Sequence, residues 1–227
     1  MGVHYHKRPI VTDGLVFQVD AANKLCGNVT NAKNIVNPTE IGSFENISTP
    51  PATSVIDNAY SFDGVDDYID VNNVSGLNGT TNFTIEGWNK KSASGQVVGL
   101  NSIIGSNDKI LLYWWVNDIL YFGVRNGSAS PPATYTLAYT DEWYHFVGVY
   151  DGSNSLKLYV NSQLVNTQTS IVPSSVSATV GNNMTIGYLN NTNYANGDIG
   201  KINIYNKALT QAEITQNYEA TKSRYIN

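Results

Sequence analysis

Charged residues and cysteine are both scarce in this chain of 227 residues. Asp, Glu, Lys and Arg together make up 14% of the chain, and the formal net charge is −5 at pH 7. Nucleic-acid binding relies on clustered Lys and Arg, so we expect no nucleic-acid partner. The single cysteine, Cys26, excludes an intrachain disulfide, and we interpret it as a small, partly buried apolar residue.

Long apolar runs are also missing from the sequence. No stretch of about 18 apolar residues occurs, so we expect no transmembrane helix. The first nine residues lack the apolar core of a secretory signal, so we expect synthesis in the cytoplasm without a signal peptide. Hydrophobic residues still make up 41% of the chain, which allows a sizeable core. Since no linker or second core is evident, residues 1–12 are predicted to be an extended arm and residues 13–227 a single domain.

Residues 143–165 show the clearest structural pattern in the chain. Trp143, His145 and Val147 alternate with Tyr144 and other residues of the opposite face, which is the period of a β-strand. Two tight turns, at residues 151–154 and 161–163, then divide the segment into three strands. Such a meander is antiparallel, and it predicts an all-β sandwich.

The rest of the chain fits the same class of fold. About a dozen short strands are separated by turn signals, the usual pattern of a sandwich or barrel. Thr210 and Glu213 form a capping box, which predicts one short helix over about residues 211–220, with Ile214 and Tyr218 docked on the sandwich. Residues 21–58 form a long polar excursion with two short strands, near Ile35 and near residues 44–47. We interpret this excursion as a candidate for partner contact.

Four segments, taken in order, carry a family resemblance. They are residues 62–71 (FDGVDDYIDV), 83–90 (FTIEGWNK), 143–161 (from WYHFVGVYDG to LKLYVN) and 204–214 (IYNKALTQAEI). Together they resemble motifs of laminin G-like domains in the concanavalin A-like lectin/glucanase superfamily. The resemblance extends over residues 15–218. It implies a two-sheet antiparallel jelly-roll sandwich, to which the sequence adds one short C-terminal helix.

The opening residues add a narrower resemblance. Residues 9–17 and 20–23 resemble the versions of this domain carried by tailed-phage virion proteins. This resemblance implies a non-enzymatic virion surface or structural protein, either a capsid decoration protein or a tail or fibre adhesion module. The expected location is the virion surface, and the expected partners are other virion proteins or further copies of this chain.

Catalysis is not expected from the acidic residues. Glycoside hydrolysis needs two carboxylates that flank one bond, and glucanases of this superfamily carry them on one strand as E-x-D-x-E. The sequence lacks that pattern, and Glu86 is the only glutamate on its predicted strand. His145 is interpreted as a core histidine. We therefore expect no enzymatic activity, with a glycoside hydrolase as the remote alternative.

A lectin-type role, recognising a receptor glycan on a cell surface, is the main alternative function. Sugar binding by a β-sandwich uses aromatic rings beside amide and carboxylate groups, because a pyranose has an apolar face and a rim of hydroxyls. In a strand, two neighbours of Trp114 share the face opposite to its own. Trp88 and Trp143 are interpreted as packing residues. The candidate carbohydrate-binding residues are Tyr113, Trp114, Trp115, Asn190, Asn191 and Tyr194.

We expect no cofactor, although the resemblance leaves calcium as an alternative. Calcium takes oxygen ligands, and the candidates are Asp63, Asp66 and Asp70, around one predicted turn. The competing interpretation is that Asp63 stabilises that turn. Gly200 and Lys201 stand where the family often carries an acidic pair, and this departure weighs against a calcium site.

Overall fold

The computed structural model describes residues 9–26, 31–47, 59–92, 97–104, 107–125, 131–152, 155–170, 172–176, 179–189 and 192–226. This part of the chain contains seventeen β-strands and one α-helix, besides three short 3₁₀ turns. The elements are β1 Leu15–Asp20, β2 Asn31–Lys33, β3 Ile41–Glu45, β4 Tyr60–Asp63, β5 Tyr68–Asn73, β6 Phe83–Lys91, β7 Val97–Ile104, β8 Asn107–Trp114, β9 Ile119–Val124, β10 Ala133–Thr136, β11 Tyr144–Tyr150, β12 Leu156–Val160, β13 Gln163–Gln168, β14 Asn182–Ile186, β15 Tyr188–Leu189, β16 Asn193–Tyr194, β17 Asn196–Tyr205 and α1 Gln211–Thr221.

The strands form two main antiparallel sheets. The seven-stranded sheet has the order β1-β17-β6-β11-β12-β13, and β4 also pairs with β17. The eight-stranded sheet has the order β10-β9-β8-β7-β14-β5-β3-β2. A separate pair, β15 and β16, forms a small hairpin. The predicted two-sheet sandwich with one short C-terminal helix is confirmed. In the described ranges, no helix is both long and apolar enough to cross a bilayer.

Strand β11 shows how the alternation of the sequence becomes two surfaces. Phe146 and Tyr150 lie in the main core between the sheets, and Val147 and Val149 lie in a second apolar cluster on the outside of the seven-stranded sheet. Gly148 faces inward against the Phe122 ring of the other sheet, where a Cβ would lie 2.2 Å from a ring carbon. The sheets can therefore approach closely at this point only because residue 148 has no side chain.

The core between the sheets is rich in aromatic contacts. The Phe83 ring of the seven-stranded sheet packs edge-on against the Phe122 ring, with centroids 6.4 Å apart. Trp114 and Phe146 pack perpendicular to each other, with centroids 5.8 Å apart. Such edge-to-face pairs add to the stability that comes from burial alone, because the ring edge is positive and the ring face negative.

Lys91 links the two sheets through a buried ammonium group. Its Nζ donates to the Trp115 carbonyl at 3.2 Å and to the Asp118 carboxylate in the β8–β9 turn. The same Nζ lies 4.6 Å from the centroid of the Trp114 ring. Lys91 is only 1% exposed, so its charge is balanced by a carboxylate, a carbonyl and a ring face rather than by water.

Helix α1 covers the outer surface of the seven-stranded sheet. The predicted capping box is present: Glu213 N donates to Thr210 Oγ1, and the Glu213 carboxylate accepts from Thr210 N. Ile214 is fully buried in the outer apolar cluster with Val147 and Val149. Tyr218 stacks on the Trp88 ring with centroids 5.7 Å apart, so the predicted docking of the helix is confirmed.

The excursion at residues 21–58 differs from the prediction in the positions of its strands. The predicted strands near Ile35 and residues 44–47 are replaced by β2 and β3, which lie a few residues earlier. The reason is a closed turn, in which Asn34 N donates to the Glu40 carbonyl and Asn34 Nδ2 donates to the Glu40 carboxylate. Residues 27–30 and 48–58 lie outside the described part of the chain.

The described part of the predicted N-terminal arm is joined to the domain. Val11 N donates to Asn217 Oδ1 of α1 at 2.7 Å, and Gln216 Nε2 donates to the Pro9 carbonyl at 2.8 Å. Val11 is 9% exposed. Residues 9–12 therefore lie against α1, whereas residues 1–8 of the predicted arm lie outside the described residues.

Candidate functional site

Strand β8 sends its aromatic residues to opposite sides of the eight-stranded sheet. Trp114 points into the core, is 1% exposed, and its Nε1 donates to the Leu137 carbonyl at 3.1 Å. Tyr113 and Trp115 lie on the outer side and are partly exposed. Because the Trp114 ring is enclosed by the core, a ligand at the surface reaches Tyr113 and Trp115 only.

A platform of three rings forms where β8 pairs with β9. Tyr113 stacks on Tyr121, its cross-strand neighbour, with centroids 4.8 Å apart and planes 17° apart. Trp115 packs edge-on against Tyr113 with centroids 5.5 Å apart. Tyr113 and Trp115 also pack against the buried pair Leu111 and Leu189. The platform is therefore held by packing on one side and reaches solvent on the other.

The β15–β16 hairpin extends this platform across the sheet. Gly187 starts the hairpin with a φ of +86°, and Ala195 N donates to the Gly187 carbonyl at 2.7 Å. A Cβ at position 187 would lie 2.5 Å from the buried Phe62 ring, so the chain can turn here only with glycine. The turn brings Leu189 onto the platform and directs the neighbouring Tyr188 towards β5.

Three tyrosines form the other end of the same surface. Tyr188 stacks on Tyr68 of β5 with centroids 4.9 Å apart, and Tyr194 lies 5.0 Å from Tyr188 and 6.4 Å from Tyr68. All three are partly exposed. We name the combined surface the aromatic face, defined by Tyr68, Tyr113, Trp115, Tyr121, Tyr188 and Tyr194.

The aromatic face contains some of the predicted carbohydrate-binding residues and omits others. It brings Tyr113, Trp115 and Tyr194 onto one surface, whereas Trp114 lies in the core. Asn190 and Asn191, in the tip of the hairpin, lie outside the described residues. Tyr68, Tyr121 and Tyr188 were not predicted as binding residues. Their alternation along the strands is visible in the sequence, but no pattern in it indicates which side of the sheet stays open.

The predicted calcium ligands separate into a turn and a strand. Asp63 and Asp66 lie with Asp67, and one oxygen of each lies within 4.8 Å of the others. Asp70 lies on β5 instead, and its Oδ1 accepts from the Asn72 backbone N–H at 2.8 Å. Asp67 is buried and accepts from Asp63 N at 3.0 Å, and Asp63 accepts from Val65 N at 2.8 Å. Asp63 and Asp67 thus each use one carboxylate oxygen to hold the turn, which is the competing interpretation made for Asp63.

A second polar cluster lies under α1, on the outside of the seven-stranded sheet. Glu86 is 2% exposed, and its Oε1 accepts from Asn203 Nδ2 at 2.6 Å and from Asn217 Nδ2 at 2.9 Å. Tyr205 accepts a hydrogen bond from the same Asn217 amide at 2.9 Å. His145 Nε2 lies 3.5 Å from Glu86 Oε2, which is long for a hydrogen bond. We name this group the covered polar cluster: Glu86, His145, Asn203, Tyr205 and Asn217.

Glu86 keeps its charge although it is enclosed. Burial alone would raise the pKa of this carboxyl, but the neighbouring His145 imidazole and the Asn203 and Asn217 amides hold the pKa below its ordinary value. The predicted interpretation of His145 as a core histidine fits its 2% exposure. Glu86 is the only glutamate on β6, as the sequence indicated, yet its partners come from β17, β11 and α1.

Trp88 and Trp143 also lie on the helix side of the molecule. Trp88 is 1% exposed, donates from Nε1 to Thr221 Oγ1 at 2.9 Å, and stacks on Tyr225 at 4.6 Å. Trp143 packs against the same Tyr225 ring at 4.9 Å. These contacts agree with the predicted packing roles of both tryptophans.

Comparison with known proteins gives the family of the chain. A laminin G-like family model, described as the Concanavalin A-like lectin/glucanases superfamily, matches residues 63–215, which is well over half of the chain. The chain belongs to this superfamily. The match covers the laminin G-like motifs seen in the sequence, from the Asp63 turn to the first residues of α1. No curated protein matches the laminin G-like chain.

Solved structures share the sandwich at low identity. The receptor binding domain of botulinum neurotoxin D is 18% identical with a TM-score of 0.70, over 92% of this laminin G-like chain and 53% of the toxin domain. The receptor binding domain of the C/D mosaic serotype is 16% identical, also with a TM-score of 0.70, over 92% of this chain and 52% of the toxin chain. Trypanosoma rangeli sialidase is 15% identical with a TM-score of 0.69, over 96% of this chain and 34% of the sialidase chain. The laminin G-like chain thus spans about half of the toxin domains and a third of the sialidase, and these likenesses show the fold alone.

Proposed function

We propose that the protein is a non-enzymatic adhesion module that binds a glycan on its aromatic face. The observation that carries the proposal is the row of six partly exposed aromatic rings on the outside of the eight-stranded sheet. Rings fixed by packing lose little freedom when a ligand binds, and their flat surfaces match the apolar face of a sugar ring. The printed titles of the toxin domains name receptor binding, which supports the proposal by analogy only.

The absence of catalysis is part of the proposal. The carboxylate with the most enzyme-like surroundings is Glu86, which has a histidine nearby and a lowered pKa. It is 2% exposed beneath α1, so no glycosidic bond can approach it while the helix is docked. The remote alternative, a glycoside hydrolase, predicts new reducing ends when the protein is incubated with a glycan that it binds.

Attachment to a virion surface is the second part of the proposal, with other virion proteins or further copies of this chain as partners. Pro9 and Val11 lie against α1, on the opposite side of the sandwich from the aromatic face. A partner joined through the preceding residues would leave the aromatic face open. Deletion of residues 1–8 is therefore expected to abolish assembly and to leave glycan binding unchanged. Loss of both properties would contradict this arrangement.

Neither a cofactor nor calcium is part of the proposal. Asp63 and Asp67 already accept backbone N–H groups within their turn, as ordinary turn carboxylates do. The proposed mechanism uses only side chains of the aromatic face and the polar groups beside it.

A matched pair of tyrosine variants tests the proposal. Tyr121 and Tyr135 lie on the neighbouring strands β9 and β10, and only Tyr121 belongs to the aromatic face. Tyr135 pairs with the inward-facing Leu120 and is 37% exposed at the edge of the sheet. On a glycan array followed by calorimetry with the best ligand, Tyr121→Ala and Trp115→Ala should weaken binding at least tenfold. This loss corresponds to about 1.4 kcal/mol or more for one contact residue.

Tyr135→Ala is the control and should bind like the wild type. Thermal unfolding of all variants should stay close to that of the wild type, because each ring is partly exposed. An array on which the wild-type protein binds no glycan would overturn the proposal, and so would equal losses for Tyr121→Ala and Tyr135→Ala.

A further inference from the structure

The tyrosine end of the aromatic face differs from the tryptophan end in its charge. Glu45 on β3 pairs directly with Tyr68 on β5, and both point away from the core. Asp70 follows Tyr68 by two residues on the same strand and therefore stands on the same side of the sheet. Two partly exposed carboxylates thus flank the ring on which Tyr188 stacks.

These carboxylates are oriented but not neutralised. Ser43 Oγ donates to Glu45 Oε1 at 2.6 Å, and the Asn72 backbone N–H donates to Asp70 Oδ1 at 2.8 Å. No salt bridge between described residues involves Glu45 or Asp70. Their negative charge is therefore available to a ligand.

The two carboxylates also affect the phenol of Tyr68. Burial raises its pKa, and the charges of Glu45 and Asp70 raise it further. The phenol stays neutral and can donate a hydrogen bond. A ring face is attractive to a cation, and the attraction adds to that of a carboxylate beside the ring.

We propose that this end of the aromatic face selects sugars that carry a free, protonated amine, such as glucosamine units, over the N-acetylated, neutral and anionic sugars. The inference rests on the proposed glycan binding and names its ligand class. An ammonium group on the sugar would sit over the Tyr68 ring between the Glu45 and Asp70 carboxylates, while the rest of the glycan would extend over Tyr188 towards Trp115. A sialic acid or sulfated sugar would bring its negative charge against the same two carboxylates.

Two oligosaccharides that differ only in acetylation test the inference. Glucosamine hexamers and N-acetylglucosamine hexamers have the same length and linkage, and binding is measured by calorimetry at a pH where the free amines are protonated. The wild type should bind the glucosamine hexamer about tenfold more tightly. The preference should shrink as salt is added, because charge attraction at a surface is screened.

A double variant identifies the groups responsible. Glu45→Gln with Asp70→Asn keeps the shape and hydrogen-bonding capacity of both side chains and removes two negative charges, so the two hexamers should bind equally. The control, Asp141→Asn with Glu142→Gln, removes the same charge just before β11, away from Tyr68, and should keep the preference. Thermal unfolding checks that both double variants are folded.

The outcomes separate this inference from the function on which it rests. Equal binding of both hexamers by the wild type would overturn the inference and leave glycan binding on the aromatic face intact. Loss of the preference in the control, or its survival in the Glu45→Gln and Asp70→Asn protein, would also overturn it. Failure of both hexamers to bind would overturn the inference, and failure of the whole glycan array would overturn the proposed function as well.

Discussion

The two outer surfaces of the sandwich differ in how they are covered. The outside of the seven-stranded sheet carries Glu86, His145 and Asn203, and α1 covers it. The outside of the eight-stranded sheet carries partly exposed aromatic rings, and in the described part of the chain only the short β15–β16 hairpin lies over it. A polar cluster is thus enclosed on the helix side, whereas six aromatic rings on the other side are partly exposed.

This difference separates stability from recognition. A buried carboxylate must be matched by donors, so the covered polar cluster restricts the position of α1 and of residues 9–12. The aromatic rings pack against one another on the outside of the eight-stranded sheet. Changes on the covered side should therefore alter the free energy of unfolding, and changes on the open side should alter binding.

The largest effect is expected from Asn217→Ala on the covered side. The variant removes a donor from Glu86 and from Tyr205, together with the acceptor of Val11 N. The free energy of unfolding should fall by about 3 kcal/mol in urea titrations, because a buried charge loses a partner. Glu219→Ala, on the exposed side of the same helix, is the control. The folded fraction of the variant should still bind the glycan tightly. Loss of binding would show that changes under α1 also affect the aromatic face.

Gly187→Ala tests the point where the hairpin leaves the eight-stranded sheet. The added methyl group would meet the Phe62 ring at a positive φ, so we expect a loss of about 2 kcal/mol in stability. Gly79→Ala separates the two causes, because Gly79 has a φ of +73° with no atom within 4 Å of the added Cβ. If Gly79→Ala costs as much, contact with Phe62 is not the reason. Displacement of Tyr188 should also weaken glycan binding in the Gly187 variant alone.

Lowering the pH should reduce the free energy of unfolding, because Glu86 becomes protonated. Its pKa in the folded protein lies below the ordinary value of 4.5, so its contribution is complete above about pH 4.5 and is lost as the pH falls through the lower folded value. The Glu86→Gln variant lacks this titration. Urea unfolding at pH 7 and at about pH 3 should therefore show a larger loss for the wild type than for the variant. An equal loss in both proteins would mean that folding does not lower the pKa of Glu86.

The smallest effect is expected from calcium. Asp63 and Asp67 hold their own turn, so millimolar calcium should change neither the melting temperature nor glycan affinity. A rise in melting temperature with calcium that disappears in Asp66→Asn would show that the turn binds the ion. Magnesium at the same concentration controls for ionic strength.

Sequence periodicity predicts much of this fold and only part of the candidate site. The two faces of β11 and the capped helix follow from local alternation and capping chemistry, which depend on neighbouring residues. The separation of Trp114 from Trp115 also follows from alternation, but which of them is exposed depends on the position of the second sheet. The partners of Glu86 were not predictable, because Asn203 and Asn217 are more than one hundred residues away. Tyr68 and Tyr188 meet only because the chain turns at Gly187.

The enclosed ammonium of Lys91 allows opening of the sandwich to be measured chemically. At 1% exposure its amine is shielded from acylating reagents, whereas the side chain of Lys222 is 40% exposed and within their reach. Modification at position 91 therefore requires the sheets to part, and its rate at low reagent concentration measures how often they do. Mass spectrometry of the peptide that contains Lys91 would then measure how often the core opens, even in crude mixtures.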